Sequence, residues 1–365
     1  MVDNLDKIKA WVKLLSAPEI WHATAIKLAN TLGEPINYIN DISELNGIEF
    51  ISEVAKEHLI NLEEPDNWKN ICDLIEQYSI NFVSILDDEY PDPLKNIFDP
   101  PPFLFYRGII KKDDFRRAIG VVGTRKASNY GKLMTKKIVQ ELSGSGFTIV
   151  SGLAYGIDTI SHLTALDSGT RTYAVMGTGV DQIYPPRNRE LAERILENGV
   201  LLSEYIPGSK AEKWNFPTRN RIISGLSLGS LVIEGNKRSG ALLTAKFAMD
   251  QNREVFALPG DINRPQAEGP NYLIKLGAKI VTKAADIFEE FELVVDQQQS
   301  FFPKLNEKEE QIYQILLDNK EKFNTNSNGV FFDLNAMSQN TINKISKILD
   351  TDTPTKDDIL SVSED

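Results

Sequence analysis

The spacing of apolar residues changes character along the chain. In Leu5-Asp6-Lys7-Ile8-Lys9-Ala10-Trp11-Val12-Lys13-Leu14-Leu15 they recur every three to four positions, and this rhythm predicts short amphipathic helices over residues 1–95. A strip with Pro91, Pro93, Pro100, Pro101 and Pro102 then reads as a connector. From Ile119 the pattern becomes short continuous apolar runs: 119–123, 147–151, 172–176, 200–203, 230–234 and 254–258. Helical stretches or glycine turns separate them. Such runs predict parallel strands covered on both faces, hence an α/β doubly wound, mostly parallel sheet over residues 96–292. Its ligand crevice is expected at the carboxyl ends of the strands. Residues 293–303, with glutamines at 297–299, read as a linker. Residues 304–365 hold two helical patterns, around 307–317 and 341–349, split by the polar stretch Asn324–Gly329.

Composition narrows the chemistry. One cysteine, Cys72, excludes an internal disulfide and a cysteine-based zinc site, and three scattered histidines (His22, His58, His162) argue against a metal cluster. No apolar run approaches bilayer length, and Asp3 and Asp6 stand where a signal peptide carries positive charge. The expectation is a cytoplasmic protein without membrane contact, metal or cofactor. The net charge of −12 is unevenly spread: residues 119–283 hold 21 Lys and Arg against 14 Asp and Glu, whereas the flanks hold 19 against 38. A basic middle inside an acidic chain suits phosphate binding with little non-specific association.

The candidate chemistry sits where the predicted strands end. The first is followed by Gly123-Thr124-Arg125-Lys126-Ala127-Ser128, opening a helix. Its glycine allows close backbone approach, its hydroxyls and helix N–H groups can donate, and Arg125 is a bidentate phosphate donor. Ser151-Gly152-Leu153-Ala154-Tyr155-Gly156-Ile157-Asp158 and Gly177-Thr178-Gly179 repeat the logic. One glycine turn proves little, but three along one sheet edge favour an anion site. Neither a P-loop nor a Gly-x-Gly-x-x-Gly dinucleotide signature is present. Tyr184-Pro185-Pro186-Arg187-Asn188-Arg189 and Lys213-Trp214-Asn215-Phe216-Pro217-Thr218-Arg219-Asn220-Arg221 interleave rings with cations, as stacking and phosphate neutralisation on a single strand require. The alternative is that Tyr184 and Phe216 are core rings and Arg219 and Arg221 a solvated face. A further start, with Lys237, Arg238, Ser239 and Gly240, opens the next helix.

Taken in order, Gly123-Thr124-Arg125, Ser151–Asp158, Gly177–Pro185, Phe216–Ser227, Ser239–Ala245, Pro259-Gly260 and Gly269–Ile274 resemble the DNA-processing protein A family (DprA, also called Smf) over roughly residues 85–290. The resemblance implies an extended Rossmann-like domain that binds single-stranded DNA, forms a homodimer and helps load the recombinase RecA in natural transformation. It implies that Arg125, Lys213 and Phe216 lie in the DNA groove. It also implies self-association through 241–251 and Tyr272-Leu273-Ile274, with RecA contacts near Met249. The ends depart from the family: Ser16-Ala17-Pro18-Glu19-Ile20 lacks the Gly-Ile-Gly of a helix-hairpin-helix, and acidic 350–365 lacks a clear strand pair. The N-terminal region is therefore read as a degenerate sterile-alpha-motif or helix-hairpin-helix type. The C-terminal region is read as a degenerate winged helix.

Two other readings compete. In a nucleoside-monophosphate glycosidase, Asp158 and His162, or Glu234, could act as acid and base. A milder use has Asp158 capping its loop, His162 satisfied in the core and Glu234 orienting Arg219 or Arg221. The Pro-Gly-Gly-x-Gly-Thr-x-x-Glu stretch of such enzymes is absent. A pure nucleotide sensor fits the loops but not the spread of cations. The expectation is a binding protein, not an enzyme.

Overall fold

A computed structural model describes residues 2–40, 45, 47–291, 323–326 and 329–332. Helices α1 (Val2–Ser16), α2 (His22–Leu32), α3 (Glu53–Asn61) and α4 (Trp68–Gln77) come first. Then follow β1 (Asn81–Ser84), α5 (Asp92–Lys95), β2 (Phe103–Gly108) and β3 (Ala118–Val122). An alternating series continues with α6 (Asn129–Gly144), β4 (Thr148–Ser151), α7 (Ile157–Asp167), β5 (Thr172–Val175), α8 (Arg189–Asn198) and β6 (Val200–Ser203). It runs on through α9 (Asn215–Gly225), β7 (Gly229–Val232), α10 (Gly240–Asp250), β8 (Glu254–Ala257), α11 (Glu268–Lys275), β9 (Lys279–Ile280) and α12 (Ala285–Glu290). Separately, β10 (Phe323–Asn326) and β11 (Gly329–Phe332) form an antiparallel pair.

Nine strands make one sheet in the order β1-β2-β6-β5-β4-β3-β7-β8-β9. Strands β3 to β9 run parallel to their neighbours, while β2 returns antiparallel to β6 and β1 antiparallel to β2. All six apolar runs are strands of this doubly wound sheet, which is the Rossmann-like arrangement. Alternate side chains feed opposite layers. Ile119 and Val121 of β3 pack with Ile138 and Val139 of α6, whereas Val122 joins Ile222 of α9 and Ala245 of α10. Both faces are thus dry, which explains continuous rather than alternating apolar runs.

Two expectations about organisation change. The helical pattern places the first boundary at residue 95, but β1 lies before it and belongs to the main sheet. The N-terminal helices also share a core with that sheet edge: Trp11 is fully buried and meets Phe103 edge-on at 6.2 Å, beside Phe82 and Phe105. Its indole N–H donates to Glu34 at 2.9 Å. By internal packing, Met1–Gln297 is one compact unit and Gln298–Asp365 a second. Where the polar stretch 324–329 suggested only a break between helices, the β10–β11 pair stands. The linker 293–303, the helical patterns at 307–317 and 341–349, and 350–365 lie outside the described residues.

Candidate functional site

The strand order reverses at β3, flanked by β4 on one side and β7 on the other. The loops after β3, β4, β5, β6 and β7 therefore meet at one edge. They interlock tightly. Gly156 has φ +80°, and a Cβ there would strike the backbone of Thr124 and Arg125. The Ile157 N–H donates to the Thr124 carbonyl at 3.3 Å, and the Thr124 N–H to the Glu234 carbonyl at 2.7 Å. Gly177 lies directly under the Phe216 ring, whose nearest atom would be 2.9 Å from an added Cβ. These two glycines serve loop packing and ring placement.

On this base stands an outer rim. The Phe216 ring is half-buried, 5.1 Å from the Tyr184 ring and 5.9 Å from the Arg125 guanidinium carbon. Arg125, Lys126, Arg187 and Lys213 are exposed, and among the described residues no acidic side chain pairs with them. Lys237, Arg238 and Gly240 are also exposed, but Lys237 is shared between Glu268 at 3.4 Å and the Tyr272 ring at 5.6 Å. Thr124, Ser128, Gly123, Gly156 and Ser239 are half-buried between rim and interior. Trp214, 69% exposed at the start of α9, belongs to the rim as well. Its place beside Lys213 in a segment of rings and cations is the sequence signal for it.

Beneath the rim lies a second layer of polar groups, all buried. The Ser151 hydroxyl turns inward to the Val121 carbonyl (2.7 Å), and Asn188 donates to the Leu153 carbonyl (2.8 Å). Gly152 and Gly179 are covered. Arg219 donates to the Gly152 carbonyl (3.0 Å) and to Asn220 Oδ1 (3.2 Å), while the Asn220 amide donates to the Gly240 carbonyl (3.2 Å). Arg221 forms a fork with both oxygens of Glu204, each at 2.6 Å, and donates from Nε to Asp99 at 3.0 Å. Arg219 and Arg221 are each 4% exposed, so the expectation that they meet phosphates is corrected: both lie below the rim, Arg221 held by Glu204 and Asp99 and Arg219 by the Gly152 carbonyl and Asn220. They are not a solvated face either.

The acid–base candidates are equally engaged. Asp158 accepts the Gly152 and Ala154 N–H groups at 3.1 and 3.3 Å, capping its loop, and burial raises its carboxyl above the usual range despite nearby Arg219. The Thr172 hydroxyl donates to the Ile149 carbonyl (2.8 Å), so it accepts from Nδ1–H of His162 (2.7 Å). His162 is thus a neutral Nδ1–H tautomer, its Nε2 has no partner, and burial pushes its pKa down to about 3. Glu234 touches neither arginine: it accepts the Ser128 N–H at 2.9 Å and the Ser128 hydroxyl at 2.5 Å.

At the self-association segments, Met249 is 44% and Tyr272 41% exposed. Leu273 is 3% exposed and Ile274 packs partly into the same core, so Leu273 is a core residue and not an interface anchor. No helix among the described residues is long and apolar enough to cross a membrane.

Fold and edge define a class: a doubly wound domain whose crevice lacks nucleotide signatures and carries cations around a pair of tilted aromatic rings. The model of the family described as DNA recombination-mediator protein A matches residues 81–292, and the chain belongs to that family. It is 46% identical over 214 residues to the DNA processing protein DprA of Bacillus subtilis, covering 59% of this chain and 72% of that one. It is 36% identical over 291 residues to the protein Smf of Escherichia coli, covering 79% and 75%. Among solved structures, DprA of Streptococcus pneumoniae superposes with TM-score 0.64 at 34% identity, over 79% of this chain and 96% of that one. DNA processing protein A of Helicobacter pylori, described for its single-stranded DNA binding mode, gives TM-score 0.53 at 27% identity, over 59% and 96%.

Proposed function

We propose that this chain binds single-stranded DNA along the rim of the strand-end loops and catalyses no reaction there. One observation carries the reading: Arg125, Phe216 and Tyr184 form a contiguous cation-and-ring cluster at the point where the strand order reverses. A flat ring beside a guanidinium takes an unpaired base and the adjoining phosphate together, whereas duplex bases keep their faces stacked. Lys126, Arg187, Lys213 and Trp214 extend the same surface, and Thr124 and Gly156 line its floor, whereas both donors of Ser128 are taken by Glu234. Against the enzyme reading, Asp158 and Glu234 are held by internal hydrogen bonds, and His162, hydrogen-bonded through Nδ1 alone, is fully buried.

In this reading the protein acts in recombination of incoming DNA as a homodimer that hands its strand to RecA. The dimer face is the exposed side of α10 and α11, with Met249 and Tyr272 as its apolar surface, and RecA meets the same neighbourhood. A two-fold pair of grooves would hold a long strand more tightly than a short one without new contacts. The deciding experiment compares affinity for single strand, duplex and free nucleotide at several salt concentrations. Single-strand preference with a steep fall in salt is expected, since bound phosphates release counterions. Equal duplex affinity or a flat salt response would overturn the reading.

A further inference from the structure

Helix α6 begins beside β7, at the reversal of strand order, and its first turn faces the crevice. Helix starts at such points hold phosphates in many folds, because free N–H groups and the positive helix end converge there. In this chain the place is taken from within. Glu234 is 3% exposed, and its two oxygens accept separately from the Ser128 hydroxyl (2.5 Å) and the Ser128 N–H (2.9 Å). Its carboxylate lies so close over the first turn that a Cβ on Gly131 would collide with it. The Ser128 hydroxyl accepts the Gly131 N–H at 3.1 Å, and the Glu234 carbonyl receives the Thr124 N–H at 2.7 Å, so acceptor and cradle are locked together. A carboxylate with both oxygens on a hydroxyl and an N–H has the contacts a phosphomonoester would make.

We infer that Glu234 is a specificity-determining residue: it fills the helix-start cradle with a fixed negative charge and so excludes terminal phosphates from the crevice. This rests on the single-strand reading above. The diester phosphates of a strand's interior are left to Arg125 and Lys126, which point outward from the same loop and are exposed. A dianionic phosphomonoester entering the cradle would displace or face a buried carboxylate, and like charges at that distance repel strongly where water is scarce. The groove then takes any stretch of a strand without reading its end.

The test uses the full chain, Glu234→Ala and Glu234→Gln. Affinity is measured for one oligonucleotide carrying either a 5′-hydroxyl or a 5′-phosphate, and thermal stability is followed while inorganic phosphate is titrated. Wild type is expected to bind the two strands equally. Glu234→Ala, with the space cleared, should favour the 5′-phosphorylated strand about tenfold and gain stability from phosphate, as one charge-assisted contact pair allows. Glu234→Gln removes the charge but keeps the volume filled, so its preference for the 5′-phosphorylated strand should lie between wild type and Glu234→Ala. A wild-type preference for the 5′-phosphate overturns the inference, as does a folded Glu234→Ala with no gain in either measurement. If Glu234→Ala does not fold, the wild-type ratio and Glu234→Ser decide in the same way. Failure of wild type to bind the 5′-hydroxyl strand would sink the single-strand reading instead, while the phosphate titration still reports on Glu234.

Discussion

The rim and the layer beneath it contain the same residue types within one short segment, yet they do opposite work. Lys213, Trp214 and Phe216 open helix α9 and face outward; Arg219, Asn220 and Arg221, one turn on, face inward. From Arg219 to Gly225 every residue is buried, so the segment passes from an exposed start into a stretch enclosed on all sides. Arg125, Lys126, Arg187 and Lys213 lack acidic partners among the described residues, whereas Arg221 is fixed by two carboxylates. Charge that is free is available to a ligand; charge that is paired and buried holds the loops in register. The two layers should therefore separate cleanly under mutation.

The largest effect is expected below the rim. Arg221→Met leaves the buried Glu204 carboxylate without its fork and should destabilise the protein by about 3–5 kcal/mol, read by urea unfolding. A loss of binding with wild-type stability would invert the comparison. The next concerns pH. His162 is neutral when folded down to about 3, against 6.5 when free, so between those values the unfolded state holds the extra proton. Stability is then complete above that upper value and falls as pH drops, by about 2 kcal/mol near pH 5. Unfolding curves of wild type and His162→Leu at pH 7.5 and 5 measure it, and the difference in slope should vanish in the variant.

On the rim, Arg125→Ala should weaken single-strand binding by about 1.5–3 kcal/mol with little change in melting temperature. Phe216→Ala should cost about 1–3 kcal/mol of binding through lost stacking. Wild-type affinity in a folded Arg125→Ala protein would remove that residue from the groove. The smallest effect should come from Trp214→Ala, about 1 kcal/mol, because its ring stands alone and not against Phe216 and Tyr184. Fluorescence quenching of Trp214 on adding a single strand checks its place independently.

Much of this was written in the order of residues. The six apolar runs and the glycine turns at their ends follow from local pattern, because a doubly buried strand admits few polar side chains; the order of the strands does not. The family's ordered motifs were likewise legible from Gly123 to Ile274. The strands β1 and β2 were not. Phe103–Gly108 follows three prolines and is not among the apolar runs that predict strands; its pairing with β6 and β1 makes it one. Nor did the sequence tell Arg219 and Arg221 from Arg125, or show that Leu273 is covered while Tyr272 beside it is exposed. Residue type sets what a side chain can do. Whether a guanidinium meets a phosphate or Glu204, and whether a helix start is open or filled by Glu234, depends on partners 17 to 106 positions away. Only the folded chain brings those partners together, and burial then fixes which of the available hydrogen bonds is made.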